Sequence, residues 1–131
     1  MSFMNSIYTS PVLPQQNLEP SEAVYTNIIG TNNDFKIAIQ FNSEVNRSSY
    51  PLPDPEENPS QTFHFSLYAI GYSDVRDTTP LIEKTISSSG EEIVQTVMFD
   101  VVAMYKCQVR ITNANDFGVL GTAYVTEAKL T

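Results

Sequence analysis

The chain has 131 residues, with fifteen acidic side chains against seven basic ones and a formal net charge of −8. That length suits one domain around one hydrophobic core, without a disulfide or metal staple. A single cysteine excludes an internal disulfide, and no cluster of Lys or Arg in the sequence offers the positive footprint that nucleic acids and anionic membranes require.

Residues 1 to 20 hold three prolines and scattered apolar residues without a sustained period, which predicts an extended N-terminal arm ahead of a domain over 21–131. Phe3, Ile7, Tyr8, Val12 and Leu13 are the arm's candidate contacts with a partner. The start lacks the charged and apolar regions of a signal peptide, and nowhere do eighteen apolar residues run together. The expectation is a soluble protein made in the cytosol.

Seven segments rich in β-branched and aromatic residues follow: AVYTNII (23–29), FKIAIQF (35–41), TFHFSLYAIGY (62–72), LIEKTI (81–86), EIVQTVMF (92–99), MYKCQVRIT (104–112) and VLGTAYVTEAKL (119–130). With turn-forming stretches such as GTNND, SSSGE and NANDFG between them, they predict an all-β, seven-stranded antiparallel sandwich. Phe35, Ile37, Ile39 and Phe41 share one face of their strand, opposite Lys36, Ala38 and Gln40. In 62–72 both faces are apolar, Phe63, Phe65 and Leu67 on one and Tyr68, Ile70 and Tyr72 on the other. That strand is predicted to be central, or covered by the arm or a partner. Residues 42–61 hold four prolines and no strand or helix pattern, a long loop of the kind that carries function, with Tyr50 and Leu52 as further candidate contacts.

In 104–112, Tyr105, Cys107, Val109 and Ile111 alternate with Lys106, Gln108, Arg110 and Thr112, so the one cysteine points toward a core. FDVVAMYKCQVRITNANDFGVLGTAYVTEA (99–128) resembles the second half of a fibronectin type III domain. The resemblance rests on Phe99, Tyr105 six residues later at the tyrosine-corner position, the alternating Cys107, Val109 and Ile111, the turn through Gly118 and a last strand ending YVTEA. It implies an immunoglobulin-like sandwich in which these residues are structural. Two features depart from that family: the chain has no tryptophan, and 42–61 is an insertion.

No catalytic constellation is legible. His64 is the only histidine, it sits between Phe63 and Phe65, and no nucleophile motif accompanies it. One Cys and one His cannot make a usual zinc site. DPEEN (Asp54, Glu56, Glu57, Asn58) and SDVRD (Asp74, Asp77) bring oxygen ligands into loops without EF-hand spacing, and read as solvated acidic surface. The five glycines form no phosphate cradle, and the sequon at Asn46 reads as accidental without a secretion signal. No enzyme activity, cofactor or metal is expected.

The expected function is that of a structural or binding protein docking on a larger protein assembly through its arm and loops, with a homo-oligomer as one arrangement. The resemblance, in a chain with neither signal nor anchor, implies a bacteriophage virion component such as a capsid decoration or tail-associated protein. The alternative is a carbohydrate- or protein-binding adhesion module using tyrosines, for which Tyr8, Tyr25, Tyr50, Tyr68 and Tyr72 are candidates.

Overall fold

The computed structural model describes residues 11–33, 35–46, 60–71, 73, 75–100 and 104–130, with the backbone alone for 31–33, 35–36, 100, 104–105 and 126–130. Nine strands lie among the described residues: β1 (Leu13–Leu18), β2 (Ala23–Tyr25), β3 (Ile29–Asn33), β4 (Phe35–Val45), β5 (Ser60–Ile70), β6 (Ile82–Ser89), β7 (Glu92–Asp100), β8 (Met104–Asn113) and β9 (Val119–Leu130). They form two antiparallel sheets, one in the order β1-β9-β4-β7 and one in the order β2-β8-β5-β6, with β3 also on β8.

β2 and β3 occupy successive stretches of the same β8 edge, so nine strands fill eight positions. Buried Thr26 separates the two: its N–H donates to the Val109 carbonyl at 2.9 Å, while the Val109 N–H donates to its hydroxyl at 3.1 Å. A side chain thereby takes the acceptor place that a strand carbonyl would hold. Apart from β5 and β6, consecutive strand positions lie in different sheets. This is the jelly-roll order of two interlocked Greek keys. An immunoglobulin-like sandwich has seven strands, three pairs of which are consecutive neighbours within a sheet. The all-β sandwich expected from the sequence is observed; the seven-strand count and the fibronectin-type order are replaced by this arrangement.

β1 is the strand that the sequence pattern did not offer. It runs through residues expected to form an arm, pairs with β9 from Leu13↔Ala123 to Leu18↔Val119, and is bulged between Leu13 and Gln16. Val12 and Leu13, expected among the partner contacts, are 5% and 2% exposed and belong to the core together with fully buried Leu18. They are closed to an outside partner, and the sandwich begins near residue 12 rather than residue 21. Phe3, Ile7, Tyr8, Tyr50 and Leu52 lie outside the described residues. Of the expected 42–61 loop, 42–45 and 60–61 belong to strands β4 and β5.

The inward faces follow the period of two. Ile37, Ile39 and Phe41 from β4 meet Phe63, Phe65 and Leu67 from β5, all fully buried. The Phe41 ring stands edge-on to Phe63 at 4.9 Å and to Phe65 at 5.7 Å between centroids, locking one sheet against the other. Close approach there demands glycine: a Cβ on Gly121 would lie 2.8 Å from the Phe41 ring. Gly90, in the turn from β6 to β7, has φ of 143°, a conformation closed to L side chains.

Buried amides tie one end of the sandwich together. Asn113 Nδ2 donates to the carbonyls of Leu18 (3.0 Å) and Phe117 (2.9 Å), and its Oδ1 accepts from the Asn115 N–H and Nδ2 at 2.9 and 2.8 Å. The Asn115 amide in turn pairs with both backbone groups of Thr62, at 2.8 and 3.1 Å. The NANDFG turn is therefore a structural hub. Fully buried Gln61 bridges the sheets, accepting from Ser43 Oγ at 2.9 Å and donating to the Gly90 carbonyl at 2.7 Å. β7 is an edge strand, and Lys84 from β6 donates to its Met98 carbonyl at 2.5 Å, blunting that edge against further pairing.

Candidate functional site

The two outer faces differ in chemistry. On the β1-β9-β4-β7 sheet, the register places Thr96, Gln40 and Tyr124 in one row, Val94, Asn42 and Thr122 in the next, and Glu92, Glu44 and Leu120 in a third. These residues alternate with buried Ile39, Phe41 and Ser43 on β4, so they face out. Together with Gln15 from β1, the second and third rows and Tyr124 line a depression of about 390 Å3.

Its side chains are little committed elsewhere. Gln40 Nε2 donates to Asn42 Oδ1 at 3.0 Å, which fixes the Asn42 amide and leaves its Nδ2 without an acceptor among the described residues. Gln15, Glu44, Glu92, Thr122 and Tyr124 form no side-chain hydrogen bond among the described residues. Glu44 and Glu92 stand directly opposite one another across the β4–β7 ladder, an arrangement of like charges that costs stability in the free protein. No cation lines the depression among the described residues. It therefore offers carboxylate and amide acceptors, amide and hydroxyl donors, one half-buried aromatic ring, and the apolar Val94 and Leu120. That set suits a ligand dense in hydroxyl donors and repels an anion.

The other outer face, on the β2-β8-β5-β6 sheet, is partly covered by the chain itself. Tyr68 and Ile70 of β5 are 4% and 3% exposed; residues 75–81 run back beside them, held by the Ile70–Arg76 bridge and by the Asp77 N–H on the Ala69 carbonyl at 3.0 Å, and the Arg76 guanidinium reaches to 5.8 Å from the Tyr68 ring centroid. The apolar outer face expected for this strand is thus explained by its central place and by a cover from the same chain. The Arg76 guanidinium lies 3.6 Å from the Tyr25 ring centroid and donates to Gln108 Oε1 at 2.9 Å. Gln108 passes the restraint on by donating to the Thr26 carbonyl at 2.6 Å. Tyr25 and Tyr68 are occupied in this packing, in edge-to-face contact at 5.9 Å, and are not flat open platforms. Tyr72 lies outside the described residues.

The remaining sequence-predicted residues are dispersed. Phe99, Cys107, Val109 and Ile111 are fully buried in the core, while the Tyr105 side chain lies outside the described residues. Cys107 points inward and His64 outward from the same sheet, so no Cys–His pair exists, and burial pushes the Cys107 thiol up to about 12. His64 Nδ1 is hydrogen-bonded to Thr85 Oγ1 across the β5–β6 ladder at 2.8 Å. Among the described residues no three His, Cys, Asp or Glu side chains converge, and no helix is long and apolar enough to cross a membrane. Of the acidic loop residues, Asp77 is exposed and Asp54, Glu56, Glu57, Asn58 and Asp74 lie outside the described residues. The sequence reading missed Gln15, Asn42, Glu44, Glu92, Thr122 and Tyr124; the available signal was their place on the wet positions of three strands.

No family model and no curated protein matches the chain. Among solved structures it is similar to a family GH115 4-O-methyl-α-glucuronidase, BtGH115A, with specificity for decorated arabinogalactans: TM-score 0.56, 11% identity, covering 95% of this chain and 16% of that one. The chain thus spans about a sixth of that enzyme. It is also similar to GEBA250068378 from Sulfurospirillum deleyianum, with TM-score 0.53 and 10% identity over 91% of this chain and 99% of the other. A CBM4 structure aligns with TM-score 0.46 and 8% identity over 90% of this chain and 79% of that one. At these identities the first two likenesses, with TM-scores above 0.5, show similarity of fold alone.

Proposed function

We propose that the protein is a non-enzymatic binding module that holds a neutral carbohydrate chain on the outer face of its β1-β9-β4-β7 sheet. The observation that carries this reading is the depression lined by Gln15, Asn42, Glu44, Glu92, Thr122 and Tyr124, whose polar groups have little or no partner, and no cation beside them, among the described residues. Sugars present vicinal hydroxyls that both donate and accept, and apolar C–H faces that pack on a tyrosine ring. Carboxylates accept two such hydroxyls at once, and they disfavour phosphate or nucleic acid in the same place. The jelly-roll order is at home in lectin and in viral capsid domains alike. The topology therefore serves this reading and the virion reading equally, and the surface chemistry favours the former.

The test is calorimetric titration with a panel of soluble neutral oligosaccharides, using the full chain and Tyr124→Ala and Glu44→Gln variants. At least one sugar binds with Kd in the micromolar to millimolar range, about −4 to −8 kcal/mol. Tyr124→Ala weakens it about tenfold or more, with the melting temperature unchanged. A panel with no binder, or a Tyr124→Ala variant that binds as wild type does, refutes the assignment.

Docking on a capsid or tail through the N-terminal stretch is the second reading, and its arm is reduced to the residues before Val12. Removing residues 1–11 leaves the core residues in place. Retained glycan binding after that removal supports the sheet-face site. Loss of attachment to a particle with glycan binding absent supports docking.

A further inference from the structure

The seven basic residues are scattered in the sequence, yet the fold gathers three of them, Arg76, Lys106 and Arg110, on the outer face of the β2-β8-β5-β6 sheet. Lys106 and Arg110 lie on the same outward side of β8, alternating with buried Cys107 and Val109, and Arg76 packs beside them over Tyr25. In a chain of net charge −8 this gathers three of its seven cations on one face. Arg110 is its centre. The residue is half-buried, its guanidinium lies 5.5 Å from the Tyr68 ring centroid, and no carboxylate pairs with it among the described residues. Its Nε is sealed from solvent without an acceptor among the described residues. A guanidinium partly stripped of water, laid over a ring and left without an anion is poised for one.

The surroundings narrow the anion's chemistry. The register sets Tyr25, Arg110, Ser66 and Glu83 in one row and Ala23, Thr112, His64 and Thr85 in the next. Hydroxyls and an imidazole therefore surround the cation, and none of the large exposed apolar side chains (Ile28, Val75, Leu81, Val94, Met98) lies in these rows for a peptide to bury. Glu83, two strands from Arg110 in this row, turns its carboxylate onto Ser66 Oγ at 3.5 Å and forms no ion pair with the guanidinium. The net charge of the whole chain disfavours a dense polyanion, but a single carboxylate close to Arg110 feels the local field.

We propose that this face is a second ligand site, which takes a carboxylate-bearing sugar, a uronic acid residue in an otherwise neutral glycan, with Arg110 as the carboxylate anchor. With Nε sealed, the two Nη groups of the planar guanidinium pair with a carboxylate through two parallel N–H···O bonds, and Thr112 and His64 face the ring hydroxyls. The site lies on the opposite sheet from the depression described above and stands independently of it.

The experiment is an NMR titration of the full-length 15N-labelled protein with methyl glucuronide, methyl glucoside and glutarate, for wild type, Arg110→Gln, Arg110→Lys and Tyr124→Ala. The glucuronide is expected to shift the amides of Ser66, Arg110 and Thr112 and the Arg110 Nε–Hε resonance, and to bind more weakly as salt rises from about 50 to about 500 mM. Arg110→Gln is expected to lose tenfold or more in affinity, Arg110→Lys to lose less, and Tyr124→Ala to bind as wild type does. If the glucoside shifts the same resonances equally, or Arg110→Gln binds unchanged, Arg110 is not an anchor and the proposal is overturned. Glutarate binding as tightly as glucuronide overturns the sugar assignment, because the face would then read charge alone. Should the Arg110→Gln spectrum be that of an unfolded chain, the Arg110→Lys variant and the salt dependence decide.

Discussion

Replacing Asn113 by alanine removes the hub that joins β1, β8 and the turn before β9. Four hydrogen bonds go, and three buried groups lose their partner: the carbonyls of Leu18 and Phe117 and the Asn115 amide. At about 1 kcal/mol for each orphaned group, the cost is about 3 kcal/mol. With an unfolding entropy of about 2.1 cal/mol/K per residue, that lowers the melting temperature of a chain this size by about 10 °C. The Asn113→Asp variant sharpens the test, because it keeps the acceptor and turns the donor into an oxygen facing two carbonyls. Ionisation is disfavoured there, so the folded-state carboxyl titrates above its unfolded value. Its stability is then fully present below the unfolded value and falls as pH rises through the folded one, opposite to an ordinary surface aspartate. Denaturant melts of wild type and both variants between about pH 3.5 and 7 measure this directly. An Asn113→Ala loss below about 1 kcal/mol, or an Asn113→Asp variant as stable at neutral pH as at acid pH, would refute the hub.

Gly121→Ala is expected to destabilise by about 1 to 3 kcal/mol, because the new methyl group meets the Phe41 ring at 2.8 Å and Leu18 Cδ1 at 3.0 Å; a thermal melt matching wild type would contradict that packing. Cys107 is expected to resist thiol reagents in the native protein at pH 8. Stability should fall between pH 9.0, where an exposed thiol ionises, and about 12, where the buried one does. Alkylation as fast in buffer as in denaturant would show the thiol to be open.

The alternation of apolar and polar residues carried most of the architecture. It put Ile37, Ile39 and Phe41 on one face of their strand and Phe63, Phe65 and Leu67 on one face of theirs, and it pointed Cys107 inward, because the faces of a strand are a local property; that the two sets meet came from the structure. β1 was not legible because LPQQNL holds apolar residues only at Leu13 and Leu18, and the bulge between Leu13 and Gln16 breaks the period. The stretch 23–29 read as one strand, since the role of the Thr26 hydroxyl depends on Val109, more than eighty residues away. Strand order is non-local altogether. The pattern around Tyr105 suited an immunoglobulin-like sandwich, while the pairing of β1 with β9 defined another arrangement. The candidate site was silent for the same reason. Asn42, Glu92 and Thr122 are ordinary wet-face residues until β4 is laid between β7 and β9.

That last strand has a further consequence during synthesis. β9 is the inner partner of both β1 and β4, and it is the final described strand to leave the ribosome. Until it arrives, β1 has no neighbour in its sheet, and β4 presents an unpaired edge beside its apolar face. The nascent chain can close the β8-β5-β6 group first, but the other sheet must wait for β9. A chain stalled or cleaved before Val119 would therefore expose a sticky half-sandwich to its neighbours. Yield in the cell should depend on how quickly β9 is made and captured, a vulnerability set by strand order rather than by the stability of the finished fold.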